Sequence, residues 1–169
     1  MVLVILDMDH TLIDTYITPK YAINAHCDDY MYDHIYEENN MIVKISVRPY
    51  VQEFLKELVN MGTKVAIYSN ASSSHINKCV EIAFNNIPWY FIWTRDNTPR
   101  MKKDLRLVTE KYPEFDTENI VFIDDQLSTC QNNKKLGYKC ICVIKYNITQ
   151  KFFDRLFSGK HMISYIINN

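Results

Sequence analysis

The sequence predicts an α/β protein built on a central, mostly parallel five-stranded sheet with helices on both faces. Two observations carry this. Short apolar runs alternate with segments that repeat apolar residues at helical spacing, and turn residues fall between them. Strands alternating with helices are joined by right-handed crossovers, which put ligands beyond the carboxyl ends of the strands.

Taken in order, residues 2–6 (VLVIL) form the first strand. An insert over residues 14–47 follows, with Tyr16, Tyr21, Tyr30, Tyr32 and Tyr36, and six carboxylates against Lys20 and Lys44. Its end, Met41–Val47, alternates like a strand, so it reads as a short flap on the ligand side; a plain surface excursion fits the same residues. In the helix predicted over 50–61, Val51, Phe54, Leu55 and Leu58 fall at i, i+3, i+4 and i+7, with Pro49 at a first-turn position. Strands at 65–68, 89–93, 120–123 and 140–144 then alternate with helices at 73–84, 102–111, 127–136 and 149–157. Trp89 and Trp93 pack the third of these five core strands. Gly62, Gly137 and Gly159 each follow a helical segment, where a left-handed cap residue belongs.

Composition narrows the function. With 47% hydrophobic and 23% charged residues, the chain of 169 residues reads as one ordinary domain, 1–169. A net charge of −1 gives no electrostatic case for nucleic acid or an anionic membrane as partner. Three glycines, all used as caps, leave none for a Walker loop or a GxGxxG turn. The five scattered cysteines form no CxxC pair and no zinc spacing. They favour reduced thiols in an intracellular setting, cytoplasmic or nuclear. The amino terminus lacks the basic region and cleavage site of a signal peptide.

The chemistry gathers at strand ends. The first strand runs into Asp7-Met8-Asp9-His10-Thr11, and two carboxylates leaving a hydrophobic strand are costly unless they bind a cation or react. The second core strand ends at Ser69-Asn70, a hydroxyl and an amide able to hold an anion's oxygens. Lys102 and Lys103 follow the third, and Asp124-Asp125 end the fourth. Each group has a plainer role by itself: turn aspartates, a helix-capping serine, a solvated lysine. In the order DxDxT, Ser, Lys, DD, they make a site for a phosphate and a hard cation. Mg²⁺ suits such oxygen ligands, a carboxylate beside it can attack phosphorus, and a hydroxyl and an ammonium can neutralise the equatorial oxygens. The five histidines lie at unrelated spacings and are read as solvated or capping.

The run LDMDHTLI resembles the first motif of the haloacid dehalogenase superfamily, and IYSNAS, MKKDL and VFIDD resemble the second, third and fourth. The resemblance implies a three-layer Rossmann-like fold and a phosphatase acting through an aspartyl phosphate. It makes Asp7 the nucleophile, Asp9 the general acid and base, Ser69 and Lys103 catalytic, and Asn70 and Thr11 phosphate-binding. Lys102 is the alternative to Lys103. The Mg²⁺ set it implies is Asp7, Asp124 and Asp125 with the Asp9 carbonyl. Within the superfamily, VRPYVQEFLKEL is similar to a segment of the polymerase carboxy-terminal-domain phosphatases and the NLI-interacting-factor group, which carry an insert at a comparable position. The stretch DDQLSTC departs from that group's DNSP, and the tail is closer to the magnesium-dependent phosphatase-1 type.

Only 34 positions separate Ser69 from Lys103, too few for a cap domain, and the insert at 14–47 is short as well. With no lid, the substrate itself must exclude water, which favours a phosphorylated protein or peptide over a small phosphate ester. A phosphometabolite enzyme and a catalytically silent binding protein are the alternatives. A response-regulator receiver is excluded by the order of acids and lysine, and nothing supplies a glycosyltransferase's nucleotide-sugar pocket.

Overall fold

A computed structural model describes residues 1–22, 31–98 and 102–148. Eight strands and four α-helices appear among them: β1 Leu3–Leu6, β2 Ile13–Pro19, β3 His34–Glu38, β4 Met41–Val47, α1 Val51–Asn60, β5 Lys64–Tyr68, α2 Ser73–Ala83, β6 Trp89–Trp93, α3 Arg106–Lys111, β7 Ile120–Asp124, α4 Leu127–Lys135 and β8 Lys139–Cys142. The central sheet has five strands in the order β6-β5-β1-β7-β8, and every pairing is parallel. This is the predicted architecture.

Strand alternation builds a core on each face. Val4, Leu6, Val65 and Ile67 point to one side, where Val51, Phe54, Leu55 and Leu58 of α1 and Ile76 and Cys79 of α2 cover them. Leu3, Ile5, Ala66 and Phe122 point to the other, under Leu105, Val108 and Cys130. Both faces of the sheet are thus sealed, and its carboxyl edge is the place left for chemistry.

The insert is more ordered than a flap. Strands β2, β4 and β3 pair antiparallel into a second, three-stranded sheet. Asn39 and Asn40, at φ 50° and 60°, close a two-residue hairpin between β3 and β4. Both occupy the left-handed region that such a turn requires and that asparagine tolerates.

Three predicted boundaries move. Pro49 lies in the turn before α1, and Tyr50, left-handed at φ 66°, is the residue that precedes the helix. The 102–111 helix begins only at Arg106. Buried Asn133 ties down the non-helical segment before it: its Oδ1 accepts from the Leu105 N–H at 3.0 Å, and its Nδ2 donates to the Lys103 carbonyl at 2.9 Å. The last core strand stops at Cys142. Gly62 and Gly137 take the expected left-handed conformation at φ 76° and 92°. The 149–157 helix, Gly159, His26, Cys27, Tyr30 and His161 lie outside the described residues. No helix among the described residues is long and apolar enough to cross a membrane.

Beyond β8 the chain turns back over the first loop. Tyr146 N–H donates to the His10 carbonyl at 2.7 Å, and Ile148 N–H donates to Asp14 Oδ2 at 2.8 Å. The Tyr146 ring lies under the Arg48 guanidinium, which also donates to the His10 carbonyl at 3.0 Å.

Several buried acids make the fold sensitive to alkali. Burial, and then the nearby Asp124, push the Cys130 thiol up to about 12 from an ordinary 9.0. Burial likewise pushes the Tyr36 and Tyr146 hydroxyls up to about 12 from 10.0. These groups are neutral when folded and ionise in the unfolded chain, so stability falls as pH rises from about 9 towards 12. The melting temperature should decline over that range, and the decline should be shallower in Cys130→Ala. A melt unchanged from neutral pH to about pH 11 contradicts this.

Candidate active site

The site lies along the carboxyl edge of β1, β5 and β7. Asp7 leaves β1 with its N–H donating to the Ile123 carbonyl at 2.9 Å, so the backbone ladder with β7 continues into the first acidic position. The next turn is tight. The buried Met8 carbonyl accepts the N–H groups of Thr11, Leu12 and Ile13, and His10 takes a left-handed φ of 61°. The turn brings Asp9 and Thr11 back to the strand end. There the Thr11 hydroxyl donates to Asp125 Oδ1 at 3.4 Å, tying the first acidic pair to the second.

Lys103 stands at the centre. Its Nζ is 2.5 Å from Asp7 Oδ1 and 2.7 Å from Asp124 Oδ2, and all three side chains are at most 7% exposed. Burial alone would push the ammonium down, but Asp7 and Asp124 outweigh it and hold it above its ordinary value. Burial pushes the Asp7 carboxyl up to about 7; Asp124 pushes the same way and Lys103 pulls it back. Lys102, one residue earlier, is exposed to solvent. The non-helical segment that replaces the predicted helix start is what delivers Lys103 to the aspartates.

Of the four aspartates expected to gather, three do. One carboxylate oxygen each of Asp7, Asp124 and Asp125 lies within 4.8 Å of the others. Three carboxylates against a single ammonium leave a net negative, all-oxygen cluster, a donor set that fits a hard divalent cation. The Asp9 carboxylate faces elsewhere: its Oδ1 is 3.2 Å from His75 Nε2 and 3.4 Å from the Thr15 hydroxyl. Only its backbone carbonyl remains for the cluster. Ser69 is buried at the end of β5, and its Oγ accepts from the Ala71 N–H at 3.1 Å. It does not cap α2; Ser72 does, accepting from the His75 N–H at 3.4 Å. Asn70 lies in the same turn, its carbonyl taking the Arg95 Nε–H at 2.9 Å.

His75 is the residue that sequence reasoning missed, having read the histidines as solvated or capping. Its side chain is 16% exposed. The hydrogen bond to Asp9, and then contact with Cys79, hold the imidazole protonated up to about 10, against the pull of burial. A signal existed: the first turn of a helix that follows a site strand must overhang the carboxyl edge. Beside this pair a groove of about 450 Å³ opens between the second sheet and α2, lined by Asp9, Thr15, Tyr36, Met41, His75 and Arg95 among others.

The parallel sheet, with acids and a lysine at its carboxyl edge, is the arrangement that the resemblance to the haloacid dehalogenase superfamily implies. Residues 2–157 match the family model of the NLI interacting factor-like phosphatases, and the chain belongs to that family. Among solved structures it resembles fission yeast Fcp1, an RNA polymerase II CTD phosphatase, crystallised with beryllium fluoride, at 20% identity and a TM-score of 0.67. That similarity covers 86% of this chain and 42% of the other, so the chain spans less than half the length of the Fcp1 structure. A haloacid dehalogenase family enzyme from Bacteroides thetaiotaomicron, in complex with magnesium and inorganic phosphate, matches at 12% identity and a TM-score of 0.60, over 96% of this chain and 98% of its own. A haloacid dehalogenase-like hydrolase from Bacteroides fragilis matches at 13% and 0.60, over 89% and 91%. No curated protein matches the sequence significantly.

Proposed function

We propose that residues 1–169 form one phosphatase domain that hydrolyses phosphate monoesters carried on protein, through an aspartyl phosphate on Asp7. One observation carries the reading: Lys103, on the non-helical segment before α3, is locked between Asp7 and Asp124 in a chain of this family. Asp7 attacks phosphorus in line, and the bond to the leaving oxygen breaks as the new acyl phosphate forms. Asp9, at the mouth of the groove, protonates the leaving oxygen and then takes a proton from the water that releases phosphate. Ser69, Lys103 and the Asn70 amide hold the phosphoryl oxygens. Thr11 supports them through Asp125. Bound at Asp7, Asp124, Asp125 and the Asp9 carbonyl, Mg²⁺ would supply charge neutralisation and keep Asp7 ionised.

The surroundings support this substrate class. No cap covers the edge among the described residues, while the second sheet provides one wall of a groove that Asp9 helps to line. A chain laid in that groove would exclude water, which a small ester could not do. Phosphoserine and phosphothreonine are favoured over phosphotyrosine by the family alone, and an intracellular location, cytoplasmic or nuclear, by the scattered cysteines. Neither nucleic acid nor membrane is part of the reading.

Two measurements test it. Phosphopeptides should be hydrolysed with higher kcat/KM than sugar phosphates; a hundredfold preference for a sugar phosphate over every peptide overturns the protein substrate. Millimolar Mg²⁺ should raise the melting temperature by about 5–10 °C, an effect that Asp124→Asn and Asp125→Asn should each diminish. A wild-type melt unmoved by Mg²⁺ counts against the metal site.

A further inference from the structure

Asp9 is an acid with only one firm support. Its neighbour His10 is left-handed, its side chain is 31% exposed, and Lys103 is committed to Asp7 and Asp124. A carboxylate so placed at a groove mouth can adopt several rotamers, few of them useful for proton transfer. Both of its described hydrogen bonds fall on the same oxygen, Oδ1, from His75 and from the Thr15 hydroxyl. The Thr15 contact is long. The His75 contact is built from behind, since the ring rests against the Sγ of fully buried Cys79, 3.6 Å from Nε2 and 3.8 Å from Nδ1. Cys79 lies one helical turn further on α2, so the helix backbone sets the ring's position. Capping of α2 uses only the His75 backbone N–H, so the imidazole is not needed for it.

We propose that His75 is a positioning residue for Asp9: it occupies Oδ1 and so presents Oδ2 to the leaving group. The inference rests on the acid role given to Asp9 above. It concerns the step in which the alcohol departs, because a carboxyl group held in place matters most when the leaving oxygen is a strong base. An alkoxide needs that proton; p-nitrophenolate does not.

The test compares kcat/KM, which covers the steps through departure of the alcohol, for a phosphoserine peptide and for p-nitrophenyl phosphate. His75→Ala should lower the peptide value by on the order of tenfold to a hundredfold and the p-nitrophenyl value by less than about threefold. His75→Gln, whose amide can donate to Oδ1, should recover most of the loss. Partial misfolding would reduce both values equally. Equal losses on the two esters, or no rescue by glutamine, overturn the inference and leave the acid role of Asp9 standing. Asp9→Asn in the same assay separates the two: if it retains wild-type turnover of the peptide, the acid role falls and this inference with it.

Discussion

Asp7→Asn should reduce hydrolysis of every phosphate ester by on the order of 10³-fold or more, with the fold at least as stable as before. The loss follows from removing the nucleophile, for which no neighbouring carboxylate substitutes: Asp124 is fully buried and bonded to Lys103 and to the Gln126 N–H. The stability follows from the sign of its titration. Asp7 is raised to about 7 from 3.8, so at neutral pH its ionisation works against folding. The amide removes that cost, and Lys103 keeps Asp124 as a partner. Rates are read on phosphopeptide and on p-nitrophenyl phosphate, beside a thermal melt. Near-wild-type turnover would remove Asp7 as nucleophile, whereas a large drop in melting temperature would make the residue structural.

Lys103→Met should be the opposite case, losing both activity and stability. It leaves two buried carboxylates facing one another without a counter-charge, a change that costs about 3–5 kcal/mol. For a chain of this length that corresponds to a fall in melting temperature of about 6–20 °C. Adding Asp124→Asn to Lys103→Met should restore much of the stability and none of the activity. A Lys103→Met protein melting within about 2 °C of wild type would show that the aspartates find protons or water without the lysine.

How much of this was legible beforehand depends on whether the signal was local. Asp7, Ser69 and Asp124 end strands made of unbroken apolar runs, so both the strands and their end residues could be read directly. Lys103 was legible as a residue type in the right order, but not as one standing ahead of the helix. Helical spacing favoured 102–111, and Asn133, 30 residues away, overrides it through two hydrogen bonds. Strands β2 and β3 were hidden because IDTYITP and HIYEE mix exposed and half-buried positions and lack a clean two-residue alternation. The pairing with β4 makes them strands. The pairing of His75 was hidden because its partner Asp9 lies 66 positions earlier, and only its place in the first turn of α2 pointed to the site.

The order of the strands has a consequence for synthesis. Strand β1 is made before both of its neighbours and is the middle of the sheet, while β5 and β7 begin at residues 64 and 120. At translation rates of about 5–20 residues per second, Asp7 waits roughly 6–25 s before Asp124 exists to face it. The segment that fastens the first loop, through Tyr146 and Ile148, comes later still. A nascent chain therefore has no partially competent stage. It carries an apolar LVIL strand with an unpaired edge that needs shielding on the ribosome, and any product cut short of β7 retains Asp7 without the acids beside it. The acid cluster is complete only once β7 and the residue after it have been made.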